Sequence, residues 1–253
     1  LERGCLRFVI GLGGSATNDA GLGMLQALGF RFFDKEGHEV GSMKKGIALC
    51  GALLSAISSI DSSSAHPALK KTCFTAACDV RNPFIFDPQK GADADMVKEL
   101  DVAMQHLSDV IFHTTGKDVS LHPDAGAAGG MGGGLHAFLD AQLKPGIELL
   151  LETLDFAEKI KDADLLITGE GKSDRQTLMG KVPSGILQEA RRQHIPVILL
   201  AGAIEDAGIL NAAGFRGVFS ITPSPISLEQ AMQPEFAQEN IQRTVEQICR
   251  IFF

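Results

Sequence analysis

Short apolar or β-branched runs alternate along this chain with segments whose apolar residues recur at helical spacing. The runs predict strands at Leu6–Ile10, Arg31–Phe33, Cys73–Ala77, Leu165–Thr168, Val197–Leu200 and Val218–Ile221. Several are apolar throughout, the pattern of strands buried on both faces of a parallel sheet. Between Asp95 and Phe112 the residues Met96, Leu100, Met104, Leu107 and Ile111 mark one helix face. Ile241, Val245, Ile248 and Phe252 mark another near the end, and Ser227 with Gln230 reads as a capping box opening a helix. These stripes read as core. Strands alternating with helices predict βαβ units and an α/β fold.

The alternation becomes more regular past Lys144-Pro145, which places a boundary there. Residues 1–144 then form a glycine-loop α/β domain and 145–253 a Rossmann-like α/β domain. The chain opens on Leu1 and is already strand-like by Cys5–Ile10, so further structure is expected to precede it and to complete the second domain.

Composition narrows the function. Of 253 residues, 45% are apolar and 21% charged, as in a globular protein with a core. The net charge of −8, with no Lys/Arg-rich stretch, argues against nucleic acid as a partner. Any phosphate must then be held by local groups. No apolar run is long enough for a bilayer and no signal-peptide pattern is present, so a cytoplasmic protein is expected. The five cysteines, Cys5, Cys50, Cys73, Cys78 and Cys249, read as reduced core thiols. Cys73 and Cys78 have no second pair at zinc-site spacing.

The 28 glycines cluster in loops at the ends of strands. The first, Gly11–Gly21, contains Gly13, Gly14, Ser15, Thr17, Asn18 and Asp19 before a helix expected near Leu22. Unsatisfied N–H groups at a helix start attract anions, and glycines let a phosphate approach the backbone. A plain capped turn uses the same residue types, but four polar side chains among four glycines exceed what a cap needs. Gly11, Gly13 and Ala16 also match G-x-G-x-x-A, with Asp34 after the next strand, the layout of a dinucleotide fingerprint. An NAD-binding oxidoreductase is therefore one alternative, and a non-catalytic anion-binding module another.

The second loop, His122–Gly134, leads into a helix around Leu135–Leu139 and includes Gly129 and Gly130. Its small residues suit either tight helix packing or a ligand lying on the backbone. The third, Thr168–Lys181, carries Gly169, Glu170, Gly171, Lys172, Asp174, Arg175 and Lys181 at a strand end, where ligands collect in open α/β sheets. It does not match a Walker A loop. A fourth, Asp79-Val-Arg-Asn-Pro83, puts a carboxylate at a strand end; it could hold Mg²⁺ or take a proton, and it reads equally as a turn.

In order, Ile10–Gly21 with Leu25-Gln-Ala-Leu-Gly29, Ala77-Cys-Asp-Val-Arg-Asn-Pro83, Pro88-Gln-Lys-Gly-Ala92, Ala125–Gly132, Ile167–Asp174 and Gly180-Lys181-Val-Pro183 resemble the bacterial type I glycerate kinase family (glycerate 2-kinase) almost end to end. The resemblance implies two α/β domains with mostly parallel sheets, the C-terminal part Rossmann/flavodoxin-like. It implies transfer of the γ-phosphoryl of ATP to a hydroxyl of D-glycerate, the 2-hydroxyl by preference, with Mg²⁺ accompanying ATP. By the same resemblance Ser15, Asn18 and Asp19 lie near substrate, Asp79 and Asp174 are the candidate carboxylates, and Lys181 stabilises charge. Gly13, Gly14, Gly129, Gly130, Gly169, Glu170 and Gly171 would bind substrate or phosphate, and the metal ligands stay unassigned. Two departures stand out. The family's N-terminal portion, with an early Asp-Ser-aromatic-Lys motif and an Asp-Gly-Gly-Glu-Gly stretch, is absent, so residues 1–253 alone are expected to lack turnover. The segment Pro83–Pro88 is also shorter than the family's. Nothing in the pattern sets the oligomeric state or argues for a protein partner.

Overall fold

The computed structural model describes residues 1–14, 18–42, 46–78, 82–85 and 92–252. These residues divide into two compact units, Leu1–Gly146 and Ile147–Phe253.

The first unit is built on a three-stranded parallel sheet, β1 (Arg7–Leu12), β4 (Cys73–Cys78) and β5 (Gln142–Pro145), in the order β1-β4-β5. Helix α1 (Leu22–Ala27) follows β1. The chain then makes a separate antiparallel pair, β2 (Arg31–Phe33) with β3 (Ser59–Asp61). Two helices close the unit, α2 (Ala94–Thr115) and α3 (Met131–Leu139). The Asp93 carboxylate accepts the N–H groups of Asp95 and Met96 to start α2, and Gly116 ends it at φ 73°. Met104, Leu107 and Ile111 from its predicted stripe are buried with Leu22, Leu25, Phe32, Phe84 and Leu135, whereas Met96 is exposed.

The second unit begins with α4 (Gly146–Thr153) and α5 (Phe156–Lys159). A parallel sheet of order β6-β7-β8 follows, from β6 (Leu166–Ser173), β7 (Val197–Ile204) and β8 (Gly217–Ser220). Helices α6 (Val182–Arg192) and α7 (Ala207–Ala213) make the crossovers, and α8 (Leu228–Ala231) and α9 (Pro234–Phe252) follow. Val197 and Leu199 face a core with Leu187, Leu210 and Phe215, while Ile198 and Leu200 face another with Val245 and Ile248. β7 is thus buried on both faces, as a continuous apolar run predicts.

Several expectations need correcting. β1 is not buried on both faces: it alternates, and Val9 is 68% exposed. It is an edge strand of its sheet, and only Phe8, Ile10 and Leu12 meet the core. Arg31–Phe33 forms a strand but in the antiparallel pair rather than a βαβ unit. β3 and β5 lack an apolar run and exist because of their pairing; Pro145 is tolerated in β5 because that strand lies at the sheet edge. The cysteines are not generally core thiols either. Cys78 is buried, but Cys5, Cys50 and Cys73 are exposed, because these three fall on a loop or on strand positions facing away from the core.

Candidate functional site

The C-terminal ends of β1 and β6 carry most of the residues that the sequence singles out. After β1 the backbone at Gly13 and Gly14 is exposed. Gly14 has φ 66°, and a Cβ placed on Gly11 or Gly14 would meet nothing within 4 Å. Open main chain at a strand end is what an anion needs for close approach. Ser15, Ala16 and Thr17 lie outside the described residues. Asn18 and Asp19 are half-buried. Asp19 Oδ1 accepts the Gly21 N–H at 2.9 Å and its carbonyl accepts that of Leu22 at 2.9 Å, so one carboxylate oxygen already shapes the turn. The Asn18 carbonyl sits 2.6 Å from where a Cβ on Gly51 would be.

The second glycine loop packs directly on the first. Ala20 donates its N–H to the Gly129 carbonyl at 3.0 Å, and a Cβ on Gly134 would lie 2.1 Å from the Ala20 carbonyl oxygen. A Cβ on Gly126 would meet the Pro83 carbonyl at 2.2 Å, and one on Gly133 the Phe84 ring at 2.4 Å. Helix α3 starts at Met131 rather than near Leu135, so Gly132, Gly133 and Gly134 belong to it. Of the two readings of these small residues, the structure supports close packing. Gly129 and Gly130 are buried and shape the first loop from behind rather than presenting open backbone.

The third segment departs most from expectation. Thr168–Ser173 is not loop: β6 runs through it, with Gly169 beside Leu200 and Ser173 beside Ile204 of β7. Close approach explains two of the glycines, since a Cβ on Gly169 would be 2.9 Å from the Leu200 carbonyl and one on Gly202 2.8 Å from that of Gly171. Gly171 itself is exposed, with nothing within 4 Å of a Cβ. The turn proper is a single stretch of 3-10 helix, Arg175–Leu178, capped by Asp174. Asp174 Oδ1 accepts the Gln176 N–H at 2.7 Å, and the Asp174 N–H donates to Thr177 Oγ1 at 3.1 Å.

One carboxylate oxygen of Glu170 is engaged within the fold. Its Oε1 accepts the hydroxyls of Ser173 at 2.9 Å and Thr177 at 2.5 Å, both fully buried residues. Lys172 pairs with Glu205 at 2.6 Å, and that bond raises the Lys172 pKa above the usual lysine range. Lys181 stands at the start of α6, exposed, with no ion pair among the described residues. The Thr222 hydroxyl donates to the Gly202 carbonyl at 2.7 Å, drawing the loop after β8 to the same sheet end. Ser173, Thr177, Glu205 and Thr222 were not singled out from sequence. A capping-box pattern, Asp174 with Thr177, was the one signal available.

Asp79 lies outside the described residues, as do Phe86, Asp87 and Pro88 of the Pro83–Pro88 segment. Among the described residues no three metal-ligating side chains gather.

The dinucleotide fingerprint is not realised. In that motif the helix begins within the glycine loop, but α1 begins only at Leu22, is six residues long, and has Gly21 as a cap at φ 71°. Asp34 follows β2, which is not a neighbour of β1, and its Oδ1 accepts the His38 N–H at 2.7 Å in a local turn.

Known proteins resemble the chain along its whole length. A sequence model described as the glycerate kinase family matches residues 1–253. The chain is 43% identical over 261 residues to a glycerate kinase of Bacillus cereus, covering 100% of this chain and 66% of that protein. It is 43% identical over 258 residues to the glycerate 2-kinase of Escherichia coli K12, covering 98% and 65% respectively. A crystal structure from Salmonella typhimurium LT2, of a protein provisionally named glycerate kinase 2, superposes with a TM-score of 0.76 at 39% identity, covering 99% of this chain and 65% of that one. The chain thus spans just under two thirds of the length of these relatives.

Proposed function

The chain belongs to the glycerate kinase family, and on that footing we propose that the whole protein transfers the γ-phosphoryl group of ATP to the 2-hydroxyl of D-glycerate. The observation that carries this reading is the whole-chain likeness to proteins named for that reaction, with exposed backbone at Gly13 and Gly14 after β1 and at Gly171 within β6. Phosphoryl transfer asks for positioning and charge stabilisation more than for covalent chemistry. The exposed N–H groups of Gly13 and Gly14 would hold an anionic oxygen of phosphate or of the acid's carboxylate. Lys181, exposed and without an ion pair, would offset charge developing on the transferred group. Asp174 keeps Oδ2 outside the cap bond and would take the hydroxyl proton. Ser15, Asn18 and Asp19 would line the acid, Gly169 would bring the strand close, and Asp79 remains the second candidate carboxylate. Mg²⁺ bound with ATP would supply charge neutralisation on the phosphates. D-glycerate and ATP are the partners under this reading, and the protein would work in the cytoplasm; no described helix is long and apolar enough to cross a membrane.

The experiment is ADP release from Mg-ATP on adding D-glycerate, with the protein at the full length its gene encodes. L-glycerate, glycolate and no acid serve as controls, and phosphorus NMR of the product separates 2- from 3-phosphoglycerate. Release that depends on D-glycerate supports the reading. A folded full-length protein with no release would overturn it in favour of an anion-binding module.

A further inference from the structure

A cavity of about 800 Å³ lies in the first unit at the end of the sheet opposite Gly13 and Gly14. Thr72, in its wall, immediately precedes β4, and Asp140 precedes β5; in a parallel sheet these are N-terminal strand ends, whereas Gly13 and Gly14 follow β1. The cavity is within the size range of small-molecule sites. One wall is apolar: Phe30 and Phe138 meet edge to face with centroids 5.5 Å apart.

The polar wall has a definite sign. Asp140 is neutralised by the ammonium of Lys117, and the Thr72, Thr114 and Thr115 hydroxyls donate to carbonyls of their own helices. Lys70, exposed at the rim, has no ion pair among the described residues. His66 Nδ1 accepts the Ala68 N–H at 3.2 Å, which places the neutral ring's proton on Nε2 and makes that nitrogen a donor. One unpaired cation and one oriented donor beside an aromatic pair match a small organic anion carrying a ring-sized apolar body.

We propose that this cavity is a second ligand site, separate from the phosphoryl-transfer site, for a small aryl-type carboxylate or phosphate ester. The apolar body rests on Phe30 and Phe138, and the anion is held by Lys70 and His66. Helix α3 runs from Gly130, behind the first glycine loop, to Phe138 and Leu139 in the cavity wall, so the site has a packed route to that loop.

The test is isothermal titration of the full-length protein with four probes. Benzoate and phenyl phosphate carry both features, benzyl alcohol lacks the charge, and inorganic phosphate lacks the body. Saturable binding of either organic anion, at least about tenfold tighter than the alcohol and the bare phosphate, supports the site, and the tighter of the two identifies the head group. Lys70→Glu, at an exposed position, weakens that binding by about tenfold or more, and His66→Phe weakens it while keeping the ring. Lys181→Ala leaves it unchanged, which separates this site from the one proposed for ATP and glycerate. No saturable heat from either organic anion at about 10 mM would overturn the proposal. So would equal affinity in Lys70→Glu and wild type, or benzyl alcohol binding as well as benzoate.

Discussion

The hydroxyl of Thr177 donates to Glu170 Oε1 at 2.5 Å while it accepts the N–H of Asp174, so a strand residue and a turn residue are joined through one buried side chain. Ser173, also fully buried, gives its hydroxyl to the same carboxylate oxygen. Glu170 Oε1 therefore holds the turn that carries Asp174.

Glu170→Ala leaves two buried hydroxyls without their acceptor and is expected to cost about 1–3 kcal/mol in urea unfolding. Glu170→Gln retains a carbonyl oxygen in the same place and recovers most of that loss. If turnover falls in the alanine variant and returns in the glutamine variant, Glu170 acts by positioning. Equal damage from both would instead make its charge the functional feature.

Asp174 caps the turn, and the proposed reaction would give it a second, separable duty. Asparagine is as good an N-cap as aspartate, so Asp174→Asn should change stability by less than about 0.5 kcal/mol. With the proton acceptor removed, the rate of D-glycerate phosphorylation should fall by about 100-fold or more. Thermal unfolding and the ADP assay on one preparation check both, and an unimpaired rate would remove Asp174 from the reaction.

Glycines with and without neighbours predict opposite outcomes. Alanine normally stabilises a helix relative to glycine by about 1 kcal/mol. Gly134→Ala in α3 reverses that sign, because its Cβ would meet the Ala20 carbonyl at 2.1 Å, and a loss of about 1–3 kcal/mol is expected. Gly171→Ala meets nothing within 4 Å and has no left-handed φ to lose, so its stability stays within about 0.5 kcal/mol of wild type. A raised KM in that stable variant is the expected sign of a ligand lying against the strand.

Burial holds the His136 imidazole below the usual histidine range; donation to the Ala141 carbonyl opposes this, and the nearby His122 and Lys117 add to the lowering. The unfolded chain therefore binds a proton at a higher pH than the folded one does. As pH falls from about 6.5 toward the lowered folded value, the unfolded state gains protons first and stability declines. His136→Gln should flatten that part of the pH profile while leaving stability near pH 8 little changed. Urea midpoints taken across the acid range test it, and an unaltered slope would exclude His136 as the source.

Much was legible from local pattern. The apolar run Val197–Leu200 found the central strand of the second unit, and the periodic Met104, Leu107 and Ile111 found the buried face of α2. Gly11–Gly14 announced exposed backbone at a strand end, and the order of motifs from Ile10 to Pro183 pointed to the family that the whole chain matches. These features are written in residues close together in sequence, where side-chain period and glycine's lack of a Cβ act directly.

What only the tertiary structure decided concerns atoms from distant segments. Gly169–Ser173 looks like a loop because glycine and charged residues are poor strand formers, and it becomes strand because Leu200–Ile204 lies beside it. The glycines at 126–134 could have faced a ligand until Pro83, Phe84 and Ala20 were found pressed against them. Cys5 and Cys73 look apolar in sequence and are exposed because Cys5 lies on the loop before β1 and Cys73 points away from the core. Composition names which groups are present; which of them meet is set by long-range pairing and close packing, as the hydroxyls of Ser173 and Thr177 on Glu170 show.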